Sequence, residues 1–110
     1  MQARTLDNMK NPYNSTFEKR EVLLSKVYKM AQDQGFDTLT RDTIAEYCNC
    51  AIGTINYHFH TMEKLRNAVM RKAVASKNLE IMSCGIASRN KVALAAPVEL
   101  KRQAAELLYK

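Results

Sequence analysis

The side chains best suited to chemistry crowd into one stretch, TRDTIAEYCNCAIGTINYHFHTMEKL, residues 40–65. Cys48, Cys50, His58 and His60 put four soft or borderline metal ligands within 13 residues, a set that suggests zinc. The spacing disfavours it. Structural zinc sites separate paired cysteines by about two to four residues, whereas a single residue lies between Cys48 and Cys50. His58 and His60, if helical, point roughly 200° apart, so both face one ion only where a helix ends between them. No metal is expected. The second chemistry is hydrogen bonding to nucleic acid. Thr54 offers a methyl group to thymine or a hydroxyl to a base, and Asn56 can pair bidentately with adenine. Thr40, Arg41, Tyr57, His58 and Lys64 suit backbone phosphates, contacts that set register and orientation rather than sequence. The bland alternatives are a solvated surface amide for Asn56 and packing against the first helix for Tyr57. Catalysis finds no footing. No Ser-His-acid or Cys-His arrangement is set against a plausible cleft, and no glycine-rich phosphate loop occurs. Neither an enzyme nor a cofactor is expected.

The elements that must position these groups follow from local pattern. Ser15-Thr16-Phe17-Glu18 fits a capping box, so a first helix is predicted from Ser15. Phe17, Leu24, Val27, Tyr28 and Ala31 form its buried stripe, broadened by Val22, Leu23 and Met30. Gly35 ends it, where positive φ costs glycine nothing. Thr40 caps a second helix that buries Ile44, Ala45 and Cys48. Ala45 supplies the small side chain that crossing helices need. Asn49 marks the reversal, since a non-glycine residue at positive φ is most often Asn or Asp. A third helix runs from Ala51 to about His58, anchored by Ile55 and Phe59. Its other face carries Gly53, Thr54, Asn56 and Tyr57, short groups and one phenol, with no Lys, Glu or Gln. Gly53 costs about 1 kcal/mol in a helix interior, tolerable where a bulky neighbour or backbone comes close. Thr61 caps a fourth helix. Leu65, Ala68, Val69, Ala73, Ser76, Leu79 and Met82 line one side of it, giving a helix of about 20 residues whose distal half runs beyond the first three. Two short helices joined by a tight turn are the unit that places one helix in a DNA groove.

The whole chain is consistent with one domain of 110 residues. Lys and Arg number 17 against 11 Asp and Glu, a formal charge of +6, which favours a polyanionic partner. Three cysteines in this arrangement do not form a disulfide framework, and a reducing compartment, the cytoplasm, is expected. No apolar run approaches a membrane span, so no membrane partner is expected. Residues 1–14 are assigned as an N-terminal arm, either a frayed terminus or a basic segment that brings Arg4 and Lys10 to a minor groove. Residues 15–83 are assigned to the helix-turn-helix domain with its fourth helix. Residues 84–110 are assigned to a C-terminal helical extension. There Val98, Leu100, Ala104, Leu107 and Leu108 make an apolar stripe with no evident site on the three-helix core, a candidate homodimer surface.

The residues Ile44-Ala45, Gly53-Thr54-Ile55, Tyr57-His58-Phe59 and Glu63-x-Leu65, with Gly35-Phe36 ahead of them, resemble the DNA-binding domain of the TetR-type transcriptional regulators from Glu18 to about Val74. The resemblance implies an all-α fold and a regulator that binds double-stranded operator DNA as a homodimer. It implies that Thr54 and Asn56 face DNA, with Tyr57 and His58 on or beside backbone-contacting positions. Asn49 stands where the family usually has Gly, Ala51 where it has a Ser cap, Asn56 where it has a phosphate-contacting Tyr, and Met62 where it has Lys. Family members carry a sizeable helical ligand-binding domain, and only about 35 of the 110 residues remain here. The expectation is a short repressor, of plasmid or phage type, with no pocket of several hundred cubic ångströms and no small-molecule inducer. Two alternatives stand beside it: a protein-interaction module on the same trihelical fold without DNA binding, and the small zinc protein considered above.

Overall fold

The computed structural model of the chain describes residues 16–109, with side chains from Glu18 onward. The expected Ser15 cap, the Phe17 side chain and the arm with Arg4 and Lys10 lie outside the described residues. The elements in order are α1 (Thr16–Gln34), a 3-10 turn (Phe36–Thr38), α2 (Arg41–Cys48), α3 (Ile52–Phe59), α4 (Met62–Ala75), α5 (Leu79–Ala87), α6 (Lys91–Leu94) and α7 (Val98–Glu106), closed by a 3-10 turn at Leu107–Tyr109. Among the described residues there is no strand, as the all-α expectation requires.

Helix α1 buries Leu23, Leu24, Val27, Tyr28, Met30 and Ala31, the stripe that its apolar period specifies. Val22 departs from it: at 57 % exposure it lies on the outer edge, because the stripe is already filled by its neighbours. Gly35 takes φ 104°, and its N–H donates to the Ala31 carbonyl. Phe36 and Leu39 then fold back into the core. Leu65, Ala68, Val69, Met70 and Ala73 of α4 complete this half of the core. Tyr28 ties its far end: the phenol donates to Ser76 Oγ and accepts from Asn78 Nδ2 at 3.2 Å.

The fourth helix is shorter than the apolar stripe suggests. It stops at Ala75, Lys77 takes φ 57°, and Asn78 caps α5 by accepting from the Ile81 N–H. The polar triplet Ser76-Lys77-Asn78 breaks the helix, and Leu79 and Met82 belong to a new one. Helix α5 therefore runs through the division expected between residues 83 and 84. Gly85 is buried mid-helix, and an added Cβ would sit 2.4 Å from Met70 Cε and 2.8 Å from Ala93 Cβ. Its missing side chain lets α4, α5 and α6 meet.

The stripe of α7 also finds a place within the chain. It packs on α5, burying Ala104, with Leu100 half-buried against the same core. The correction is physical: once α5 leaves the line of α4, it offers a second apolar surface that a single long helix would not. The core is continuous from Leu23 to Ala104. Between the end of α1 and α5 an open cleft of about 570 Å³, lined in part by Gln32, Phe36, Ile81 and Cys84, contradicts the expectation that one chain leaves no space of this size.

Candidate nucleic-acid interface

Helix α2 is set by a reciprocal cap. The Thr40 hydroxyl accepts from the Thr43 N–H at 3.1 Å, and the Thr40 N–H donates to Thr43 Oγ1 at 3.0 Å. Two N–H groups otherwise unpaired at a helix start are thereby satisfied. Ile44 and Cys48 are buried on its inner face, and Ala45 is half-buried at the crossing. Asn49 turns the chain in the left-handed region at φ 56°, ψ 52°, and the Cys50 N–H then donates to the Ala45 carbonyl at 3.0 Å. This reversal needs a residue that tolerates positive φ, and Asn does.

Helix α3 starts at Ala51 with no side-chain cap, as expected where alanine stands in place of serine. Two buried anchors, Ile55 and Phe59, hold it, and the Arg20 guanidinium covers the Phe59 ring at 4.7 Å. The opposite side is bare. Ile52, Gly53, Thr54, Asn56 and Tyr57 are all exposed, Tyr57 at 64 %, and nothing lies within 4 Å of where a Cβ on Gly53 would be. No neighbour within the described residues explains that glycine. His60 ends the helix at φ 68°, ψ −58°, with the Thr61 N–H donating to the Phe59 carbonyl at 2.7 Å. That is a γ-turn of the rare, strained kind. The Arg66 guanidinium on α4 donates to the Leu39 carbonyl at 3.0 Å and fixes the segment that leads into α2.

The candidate contact residues fall into distinct situations. Thr54 and Tyr57 are exposed on α3. Lys64 is exposed in the first turn of α4, its N–H donating to the capping Thr61 hydroxyl. The Thr40 hydroxyl is engaged in its cap. His58 is half-buried, its ring edge-on to Tyr57 at 5.1 Å, and its Nδ1 is buried with no hydrogen-bond partner. Thr54, His58, Lys19 and Lys26 line a shallow cleft of about 340 Å³ between α1 and α3. Local sequence pattern does not mark Lys19 and Lys26, because only folding brings α1 beside the turn.

Arg41 and Asn56 meet: Arg41 Nε donates to Asn56 Oδ1 at 2.8 Å. That bond takes one of the two lone pairs of the amide oxygen and turns the Asn56 side chain toward the start of α2. A contact between residues 15 apart and across a reversal leaves no trace in local pattern.

Cys48 and Cys50 border the same cleft as His58, while His60 is not among its lining residues. Among the described residues, no group of three or more His, Cys, Asp or Glu side chains is placed to hold a metal ion. All three cysteines are free thiols. Burial pushes the Cys48 thiol up from its ordinary value, Cys50 adds to the rise, and Lys26 opposes it. Among the described residues, no helix is long and apolar enough to cross a membrane.

A family model described as "Bacterial regulatory proteins, tetR family" matches residues 23–69, under half of the chain. No curated protein and no solved structure matches. The matched segment begins within α1, takes in the capped α2, the Asn49 turn and the bare face of α3, and ends within α4. Residues 23–69 are a TetR-type helix-turn-helix domain, the DNA-binding unit of a family of bacterial transcriptional regulators.

Proposed function

We propose that the chain is a sequence-specific regulator of transcription, a cytoplasmic repressor that occupies a two-fold symmetric operator as a homodimer. The observation that carries this is the α3 face of Gly53, Thr54 and Tyr57, exposed and held rigid from behind by Ile55 and Phe59. Short groups on an anchored helix let its axis approach base edges closely, and the Thr54 methyl and hydroxyl are the side-chain groups that read them. Phosphate contacts come from Thr40, Arg41, Tyr57, His58 and Lys64 around that face, with Arg4 and Lys10 in an arm that reaches the minor groove. Joining two copies falls to the C-terminal helices. Val98 is 77 % exposed, and Leu94, Leu108 and Tyr109 are exposed near it in sequence, apolar groups left over after α7 has covered α5.

Selection of bound sequences from a random duplex pool tests the proposal. The expected motif is two-fold symmetric, with half-sites about one helical turn apart, ~34 Å, or a multiple of it. Affinity should fall linearly on logarithmic axes as salt rises. No measurable affinity for any duplex at low salt would end the DNA proposal and favour a protein-interaction module on the same fold. An asymmetric motif bound by a monomer would end the dimer proposal alone.

A further inference from the structure

We propose that Asn56 is a positioning residue that holds the Arg41 guanidinium as a clamp on a DNA phosphate, and is not a reader of adenine. This rests on the DNA-binding function proposed above. Three observations carry it.

The first is the bond itself. Arg41 Nε donates to Asn56 Oδ1 at 2.8 Å, between two exposed side chains on different helices. Arginine keeps four further N–H groups on its two terminal nitrogens, and asparagine keeps two on its amide nitrogen. The one strong acceptor in the pair, Asn56 Oδ1, already spends one of its two lone pairs within it. What the pair presents outward is mainly donors, six N–H groups against a single remaining lone pair. Adenine's major-groove edge needs a donor and an acceptor from the protein together, whereas a phosphate asks only for donors.

The second observation is position around α3. At ~100° per residue, Tyr57 lies nearly opposite the buried anchors Ile55 and Phe59, on the outermost ridge. Asn56 lies on the flank, and its bond to Arg41 shows that this flank faces the start of α2. The leading helix of such a unit crosses the sugar-phosphate backbone while the second helix enters the groove. The pair thus sits on the backbone side of the reading face.

The third is the lone positive charge at the start of α2. Arg41 makes no ion pair among the described residues, although Asp42 is its neighbour in sequence. A guanidinium tethered through Nε loses side-chain freedom before DNA arrives, and the fork of its terminal nitrogens matches two phosphate oxygens.

The test compares wild type, Arg41→Ala, Asn56→Ala and the double variant. It measures affinity across salt concentrations on the selected duplex and on single-base variants of it. All four should fold, because both side chains are exposed. Arg41→Ala should weaken every sequence alike and reduce the salt slope by about 1. Asn56→Ala should weaken every sequence by about threefold to tenfold with the base preference unchanged. The double variant should be no weaker than Arg41→Ala alone, since the amide acts through the guanidinium. A loss of preference at one base pair in Asn56→Ala, or full additivity of the two changes, would overturn the proposal. So would a loss of preference at one base pair in Arg41→Ala. Failure of the wild type to bind any duplex would instead remove the underlying DNA function, and it is seen before any variant is compared.

Discussion

Cys48 illustrates how a single side chain can look reactive in a sequence and be structural in a fold. Its closeness to Cys50 in sequence suggests metal chemistry, yet it is a small buried hydrophobe behind the turn, with its thiol pushed up mainly by burial. Because the folded value is raised, its contribution to stability is present below the ordinary thiol value of 9.0 and is lost as pH rises past it. Alkylation of Cys48 at pH 8 should therefore run well below its rate in the urea-unfolded chain, and chemical denaturation should show stability declining above pH 9. Lys64 makes the opposite case. It is exposed at the edge of the reading unit, and Lys64→Ala should lower affinity for all duplexes alike and reduce the salt slope by about 1. Residues whose role is set by their own backbone were legible from sequence: Thr40 as a cap, Asn49 at positive φ, Gly35 after a helix. Contacts with a distant partner were not, and the Arg41–Asn56 bond is the clearest, because its two residues are 15 positions apart on different helices.

At the level of elements, two glycines separate function from packing. Gly53 lies inside α3 with open space where a Cβ would be, so Gly53→Ala should stabilise the free protein by about 0.5–1 kcal/mol. The same change should weaken DNA binding, because the added methyl meets the groove. A thermal melt and a binding titration on the one variant report the two effects in opposite directions. Gly85 behaves otherwise. With Met70 and Ala93 already inside contact distance of an added Cβ, Gly85→Ala should cost about 1–3 kcal/mol, read as a lower denaturation midpoint. The short helices α2 and α3 were legible because caps and anchors mark them. The end of α4 was not, because Leu79 and Met82 continue its apolar period by coincidence while Ser76, Lys77 and Asn78 turn the chain away. Propensity within 76–78 outweighs a period that extends across it.

Across the whole molecule, the helix-turn-helix half and the C-terminal helices share one core. Helix α5 touches α4 on one side and α7 on another, and the buried Asn67 of α4 accepts from Asn90 Nδ2 at 3.0 Å, while Asn90 Oδ1 also caps α6. Unfolding in urea should accordingly be one transition, with coincident curves for helix content and for tyrosine fluorescence; two resolved steps would mean separable halves. Asn90→Ala should cost about 1–3 kcal/mol, since it removes a cap and strands a buried amide. This unity was hidden in the sequence, where the α7 stripe has no visible counterpart until α5 is placed.

The γ-turn at His60 bears on the same whole. Nature could have used glycine between α3 and α4, and the strain there would vanish. A joint held in a narrow, unfavourable backbone state has few alternatives to explore, so α3 keeps one angle to α4, and on the DNA-binding role proposed above that angle is set before any duplex arrives. Little conformational entropy is then lost on association. His60→Gly should leave the fold more stable and the encounter less selective: a firmer protein with a looser wrist.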